Sequence, residues 1–198
     1  MTAFFTSDHH FGHTNIIAYT GRPYGSVDEM NYDLVARHNS VVETSDTVYF
    51  LGDVCMGKLD ESLAFISLLN GTKFLVPGNH DRMFGVVGDK YAKAVARYYD
   101  AGFADVLSRE VRDDFGFGKV TLAHFPPTGD SHDEDRFDDH RPAMPFHGYL
   151  LHGHTHGRYL KRGRLIDVGV DANGGYPLSE KDLTDLMAMG GHVPARGW

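Results

Sequence analysis

Five short segments of this chain combine carboxylate, amide and imidazole groups: Ser7-Asp8-His9-His10, Gly52-Asp53-Val54, Gly78-Asn79-His80-Asp81, Ala123-His124-Phe125 and Gly153-His154-Thr155-His156. Oxygen and imidazole donors without thiolate suit Mn, Fe, Zn, Co or Ni, and do not suit a structural zinc knot. Two divalent ions held about 3.5–4 Å apart can displace a group at phosphorus. Asp8 and His10 are two residues apart, as are His154 and His156. In extended chain such pairs point to one side and can reach one ion. Gly52 lets the chain turn sharply at Asp53 and approach an ion closely. Asn79 sits in the turn Pro77-Gly78-Asn79-His80-Asp81. Each residue alone has a plainer reading. Asp8 could cap a helix, Asn79 could serve a turn, and His124 could be a satisfied core histidine. The five segments together, in this order, argue for a shared site.

Strands must carry these residues. Ala3 to Thr6, Thr47 to Leu51 and Lys73 to Val76 read as buried strands that end at the first three motifs. Between them the apolar spacing predicts helices, Asp28 to Val42 with Asp28 as N-cap, and Leu59 to Leu69 with Gly71 just beyond. Strand and helix in alternation predict a parallel sheet with crossover helices. Ligands of such sheets sit beyond the carboxyl ends of the strands, where Asp8, Asp53 and Asn79 fall. Tyr91 to Tyr99 reads as a helix. Phe103 to Leu107, Arg109 to Val111, Lys119 to His124, Gly148 to Leu151 and Arg164 to Val168 read as strands. Residues 126–147, with Pro126-Pro127, six acidic residues, Arg136 and Arg141, read as a long loop between two motifs. Long loops of this kind are often functional, so it either covers the site or is a solvated acidic excursion.

With 198 residues the chain fits a single domain, 1–198, with a sizeable core. One cysteine, Cys55, permits no internal disulfide and reads as a small core residue in a reducing compartment. No signal-peptide pattern or membrane-length apolar run is evident, so the expectation is a cytoplasmic protein with no membrane partner. A formal charge of −8 argues against a long nucleic-acid duplex as partner, although a short oligonucleotide remains compatible. Two divalent cations would halve that charge and concentrate positive potential in one place.

The order Asp8-x-His10, Gly52-Asp53, Gly78-Asn79-His80-Asp81, Ala123-His124, Gly153-His154-Thr155-His156 resembles the calcineurin-like metallophosphoesterase superfamily, from about Phe5 to Val170. The opening Ser7 to Ile17 is similar to small bacterial and phage phosphoesterases of that superfamily. The resemblance implies an α/β fold, a four-layer α/β/β/α sandwich of two mixed β-sheets. It implies two divalent metal ions, Mn2+ first, with Fe, Zn, Co or Ni as alternatives. Asp8, His10 and His156 match the ligands of the first ion, and Asn79, His124 and His154 those of the second. Asp53 matches the shared carboxylate. His80 matches the histidine that faces substrate, and Asp81 the acid that orients it. The implied activity is hydrolysis of a small phosphodiester or phosphomonoester by a metal-bridged hydroxide, a cyclic nucleotide or nucleotide being the first expectation. The alternatives are a nuclease acting on RNA or DNA ends, and a non-catalytic metal-bound scaffold. After Gly52-Asp53 the chain reads Val54-Cys55-Met56-Gly57, without the Asp-Arg-Gly run of protein phosphatases, which argues against phosphoprotein substrates.

Three further residues are candidate substrate contacts: His13, Asn15 and Arg22. Asn15 could instead cap a helix, and Arg22 could be a solvated surface arginine. His9 is expected to face away from the ions, and His152 to be packed behind them. The oligomeric state is not legible.

Overall fold

The computed structural model describes residues 1–198. Its first sheet has the strand order β10-β1-β2-β3-β4. Four of these are mutually parallel, β1 (Ala3–Thr6), β2 (Thr47–Phe50), β3 (Thr72–Leu75) and β4 (Phe103–Val106). β10 (Leu178–Ser179) joins antiparallel to β1. The second sheet has the order β11-β8-β9-β7-β6-β5. It comprises β5 (Glu110–Asp114), β6 (Lys119–Ala123), β7 (Tyr149–His152), β8 (Lys161–Arg162), β9 (Leu165–Asp167) and β11 (His192–Val193). β6, β7 and β9 run parallel and the other pairings are antiparallel, so both sheets are mixed.

Period-2 alternation explains the core. Phe4, Val48, Phe50 and Leu75 face a helical layer, while Phe5, Leu51 and Val76 face the second sheet. The helical layer includes α2 (Val27–Val41), α3 (Leu59–Leu63) and α4 (Asp89–Asp100), which contribute Met30, Leu34, Leu59, Leu63, Val95 and Tyr98. The second sheet answers with Val120, Leu122, Leu151 and Ile166. Burial on both faces is why the first strands read as unbroken apolar runs. The last helix, α5 (Glu180–Ala188), packs on β1 and β10 and sends Leu183 and Leu186 into the inter-sheet cluster.

Some local expectations need correction. The N-cap of α2 is Ser26, whose hydroxyl accepts the Glu29 N–H; Asp28 lies in the first turn. The helix expected over 59–69 is split into α3 and a 3₁₀ turn, Ala64–Leu68. Leu63, Ile66 and Leu69 recur every three residues, which is the 3₁₀ period. Asn15 does precede a short helix, α1 (Ile16–Thr20), but its side chain makes no capping bond. α5 was not foreseen, although Ser179 and Asp182 form a capping box that announces it.

Candidate metal centre

Each motif follows the carboxyl end of a parallel strand: β1, β2, β3, β6 or β7. The sheets meet there. Ser7 pairs in parallel with Gly169, and the Val170 N–H donates to the Ser7 carbonyl. Motifs far apart in sequence are thereby brought side by side.

Two groups of side chains result. Asp8, His10 and His156 form one, and Asp53, His124 and His154 the other, with ligand atoms in each within 4.8 Å of one another. The Asp53 Oδ2 lies 3.3 Å from His124 Nε2 and 3.8 Å from His10 Nε2, so this carboxylate faces both groups. Asn79 Oδ1 lies 3.1 Å from His124 Nε2. All seven residues expected to hold ions therefore converge. Asp8 Oδ1 and both ring nitrogens of His10 are buried without any hydrogen-bond partner. Each such orphan costs about 1–3 kcal/mol unless something binds it. A cation would satisfy Asp8 Oδ1 and the unprotonated ring nitrogen of His10, so the residues present fit a divalent metal pair.

Hydrogen bonds aim the rings. His124 Nδ1 donates to the Leu51 carbonyl at 2.7 Å, leaving Nε2 directed at Asp53 and Asn79. His156 Nδ1 pairs with Asp171 Oδ2 at 2.8 Å. His154 Nε2 pairs with Asp130 Oδ2 at 2.9 Å. Such outer partners fix the tautomer and orientation of a ligating histidine. Burial pushes the Asp8 carboxyl up and holds His10 well below its usual range. Burial also opposes charge on His124, but the adjacent Asp53 carboxylate outweighs it and pushes the ring up to about 10. A cation would take the place of that proton.

The backbone is unusual here. Asp8, His10, Asp53, His154 and His156 all have positive φ, between 49° and 69°. The only other non-glycine residue of this kind is Phe137. Left-handed backbone at non-glycine residues costs energy and clusters at functional sites. It also corrects the reason for expecting the pairs Asp8/His10 and His154/His156 to act together. They converge through left-handed turns after the strands, where extended alternation had been expected. Glycines leave the room required. A Cβ on Gly78 would collide with Asp53 and one on Gly153 with Asp8.

The remaining candidates are placed as follows. His80 is partly exposed at the rim, its Nε2 4.0 Å from Asp53 Oδ2 and its backbone N–H donating to Asp53 Oδ1 at 2.8 Å. The Asp81 carboxylate makes no hydrogen bond to the His80 ring, so the expected orienting role is not met. That carboxylate accepts the N–H groups of Gly78, Asp53 and Val54 and the Tyr98 hydroxyl, at 2.8 to 3.3 Å. The turn buries Asp81 beneath the chain while His80 points outward, so Asp81 ties two motif loops together. Burial, reinforced by Asp53, pushes it up to about 7. Arg22 answers neither expectation. It is buried, forks onto Asp171 at 2.8 and 2.9 Å, and donates to the carbonyls of Asp8 and His9. Those bonds leave it no reach toward a substrate. His13 lies beside the centre, its ring 5.6 Å from that of His10. Asn15 is exposed at the start of α1. His9 packs against Phe11 and Phe50, away from the centre, and His152 is buried against Tyr159.

Residues 126–147 are not simply a solvated excursion, because Asp130 is fully buried at the centre. Asp130, Asp167 and Asp171 were missed from the sequence. Asp167 and Asp171 were findable as acids flanking the carboxyl end of the last expected strand. Asp130 was hidden among other acids.

Fold and site together define an α/β protein of two mixed sheets whose parallel strand ends build a buried His/Asp/Asn centre competent to hold two cations. The chain belongs to the family of an uncharacterized protein of Methanocaldococcus jannaschii, to which it is 30% identical over 93% of this chain and 90% of that protein. The gene 66 protein of Mycobacterium phage L5 is 34% identical over 92% of each chain. A solved protein of unknown function from Aquifex aeolicus has the same fold, with a TM-score of 0.69 and 24% identity over 93% of this chain and 98% of that one. An archaeal phosphodiesterase matches at a TM-score of only 0.43 and 16% identity, over 85% of this chain and 84% of that one, a likeness too slight to bear on function. No family model matches the sequence.

Proposed function

We propose that this chain is a metal-dependent phosphoester hydrolase with the calcineurin-like metallophosphoesterase architecture, acting on a small phosphodiester or phosphomonoester. The observation that carries this reading is the pair of ligand groups facing one carboxylate, Asp53, with buried atoms of Asp8 and His10 left unpartnered. Asp8, His10 and His156 would hold one ion, Asn79, His124 and His154 the other, and Asp53 both. When bound, such a pair supplies Lewis acidity at phosphoryl oxygens and a water acidified enough to attack phosphorus.

The chain's own residues do the rest. His80 stands at the rim, partly exposed and close to Asp53, where a substrate would arrive. There its ring can donate a proton to the departing oxygen or balance charge on the phosphoryl group, typically a ~10²–10⁴-fold contribution. Asp81 holds the backbone of the Gly78 and Asp53 turns in register. Arg22 and Asp171 fix His156 from behind.

Turnover of bis-p-nitrophenyl phosphate with Mn2+, abolished by a chelator and restored by Mn2+, is the expected result. Two bound ions without turnover of any phosphoester would favour a metal-bound scaffold. A panel of phosphomonoesters, cyclic nucleotides, dinucleotides and short oligonucleotides identifies the substrate class.

A further inference from the structure

The segment 126–147 delivers a single fully buried carboxylate to the centre. Asp130 Oδ2 accepts from His154 Nε2 at 2.9 Å and from Arg141 Nη2 at 3.0 Å. Its Oδ1 accepts from Arg136 Nη2 at 2.7 Å and from the His132 N–H at 3.1 Å. Arg141 is itself buried and donates to the carbonyls of Pro126 and Gly129, both at 2.9 Å. Phe137, left-handed at φ 63°, packs its ring 5.2 Å from Phe125 and 6.0 Å from His154. The segment is thus knotted around Asp130, and the knot is tied to His154.

An imidazole has two nitrogens. With Nε2 bonded to Asp130, only Nδ1 of His154 is available to the group containing Asp53 and His124. We infer that Asp130 is a positioning residue for the ion held by Asn79, His124 and His154, and that it couples that ion to the order of residues 126–147. This rests on the metal-centre reading above.

The two groups differ in this respect. His156 is backed by Asp171, which lies just past the end of β9 and is clamped by buried Arg22. His154 is backed by a carboxylate from a segment with no strand and only one 3₁₀ turn, Asp138–His140. The second ion should therefore depend on the segment while the first should not. Coupling of this kind is reciprocal, so the ion should in turn order the segment.

The test is Mn2+ binding by equilibrium dialysis on the full chain, with limited proteolysis of residues 126–147 in parallel. In Asp130→Ala one ion is expected to bind as in the unaltered chain, and the other roughly 10–100-fold more weakly. Asp130→Asn keeps an acceptor oxygen for the His154 ring and should lose less. Mn2+ should slow cleavage within 126–147 in the unaltered chain and fail to do so in Asp130→Ala. Should Asp130→Ala not fold, Asp130→Asn carries the comparison. Unchanged affinity at both sites in a folded variant overturns the inference but leaves the hydrolase reading standing. Equal weakening of both ions also overturns it, since that reports general loosening. An unaltered chain that binds no Mn2+ removes the metal centre itself.

Discussion

At the scale of single residues, the centre separates groups placed to hold a cation from a group placed where a substrate could meet it. Asp53 is fully buried between the two ligand groups, and its other oxygen accepts the His80 N–H. Asp53→Asn should remove at least one ion, measured as metal stoichiometry after dialysis; two ions retained would contradict the shared role. His80 is the rim residue and its side chain is 42% exposed, so His80→Ala should keep both ions and the melting temperature. Its kcat should fall by about 10²–10⁴-fold. Parallel loss of metal and turnover would count against the assignment. Arg22 shows how far a residue's surroundings can depart from its type. An arginine is usually solvated, yet this one is enclosed and fully hydrogen-bonded. Removing one member of such a buried pair costs about 3–5 kcal/mol, so Arg22→Ala should reduce stability by that order. Urea unfolding measures it.

The elements position those residues by ending where they do. Strands β1, β2 and β7 run within two residues into a left-handed residue or a glycine, Asp8, Gly52 and Gly153, and the site lies where the ends of the two sheets meet. Helix α2 illustrates a different constraint. Its His38 is buried in the helical layer, with Nε2 donating to the Asn70 carbonyl at 3.0 Å. Burial outweighs that bond and lowers its pKa from 6.5 to about 4. The sign follows directly. The unfolded ring takes up a proton near pH 6.5 and the folded ring only near 4, so stability is full above 6.5 and lost as pH falls through that window. A shift of this size corresponds to about 3 kcal/mol. Thermal melts at pH 7 and pH 4.5 should show a smaller acid-induced drop for His38→Gln than for the unaltered chain. An identical drop would remove His38 as a cause.

At the scale of the whole molecule, the proposed cation pair would also act as a fold-stabilising ligand. The candidate ligands come from segments between Asp8 and His156, so binding would tie both sheets together. A ligand at about 100 times its Kd adds about 2.7 kcal/mol to stability. For a chain of this size that corresponds to a rise of about 5–10 °C in Tm. Mn2+ should produce such a rise and a chelator should reverse it, as read by calorimetry; no change in Tm would argue against an inter-sheet cation site. No helix of the chain is long and apolar enough to cross a membrane.

The sequence alone determined which residues gather at the centre and the parallel half of the first sheet. Residue type dictates what a side chain can bind, and continuous apolar runs dictate strands buried on both faces. Short pairings such as β8, β10 and β11 were illegible, because two-residue strands carry no period and exist only where a neighbour accepts them. Tertiary structure decided the rest. It turned Arg22 inward, set Asp81 under the backbone away from His80, and chose Asp130 from several acids as the partner of His154. Those outcomes depend on which groups share a buried volume, and burial makes each unpaired polar atom costly enough to select its partner. Local sequence does not encode that choice, since the partners lie up to 149 residues apart.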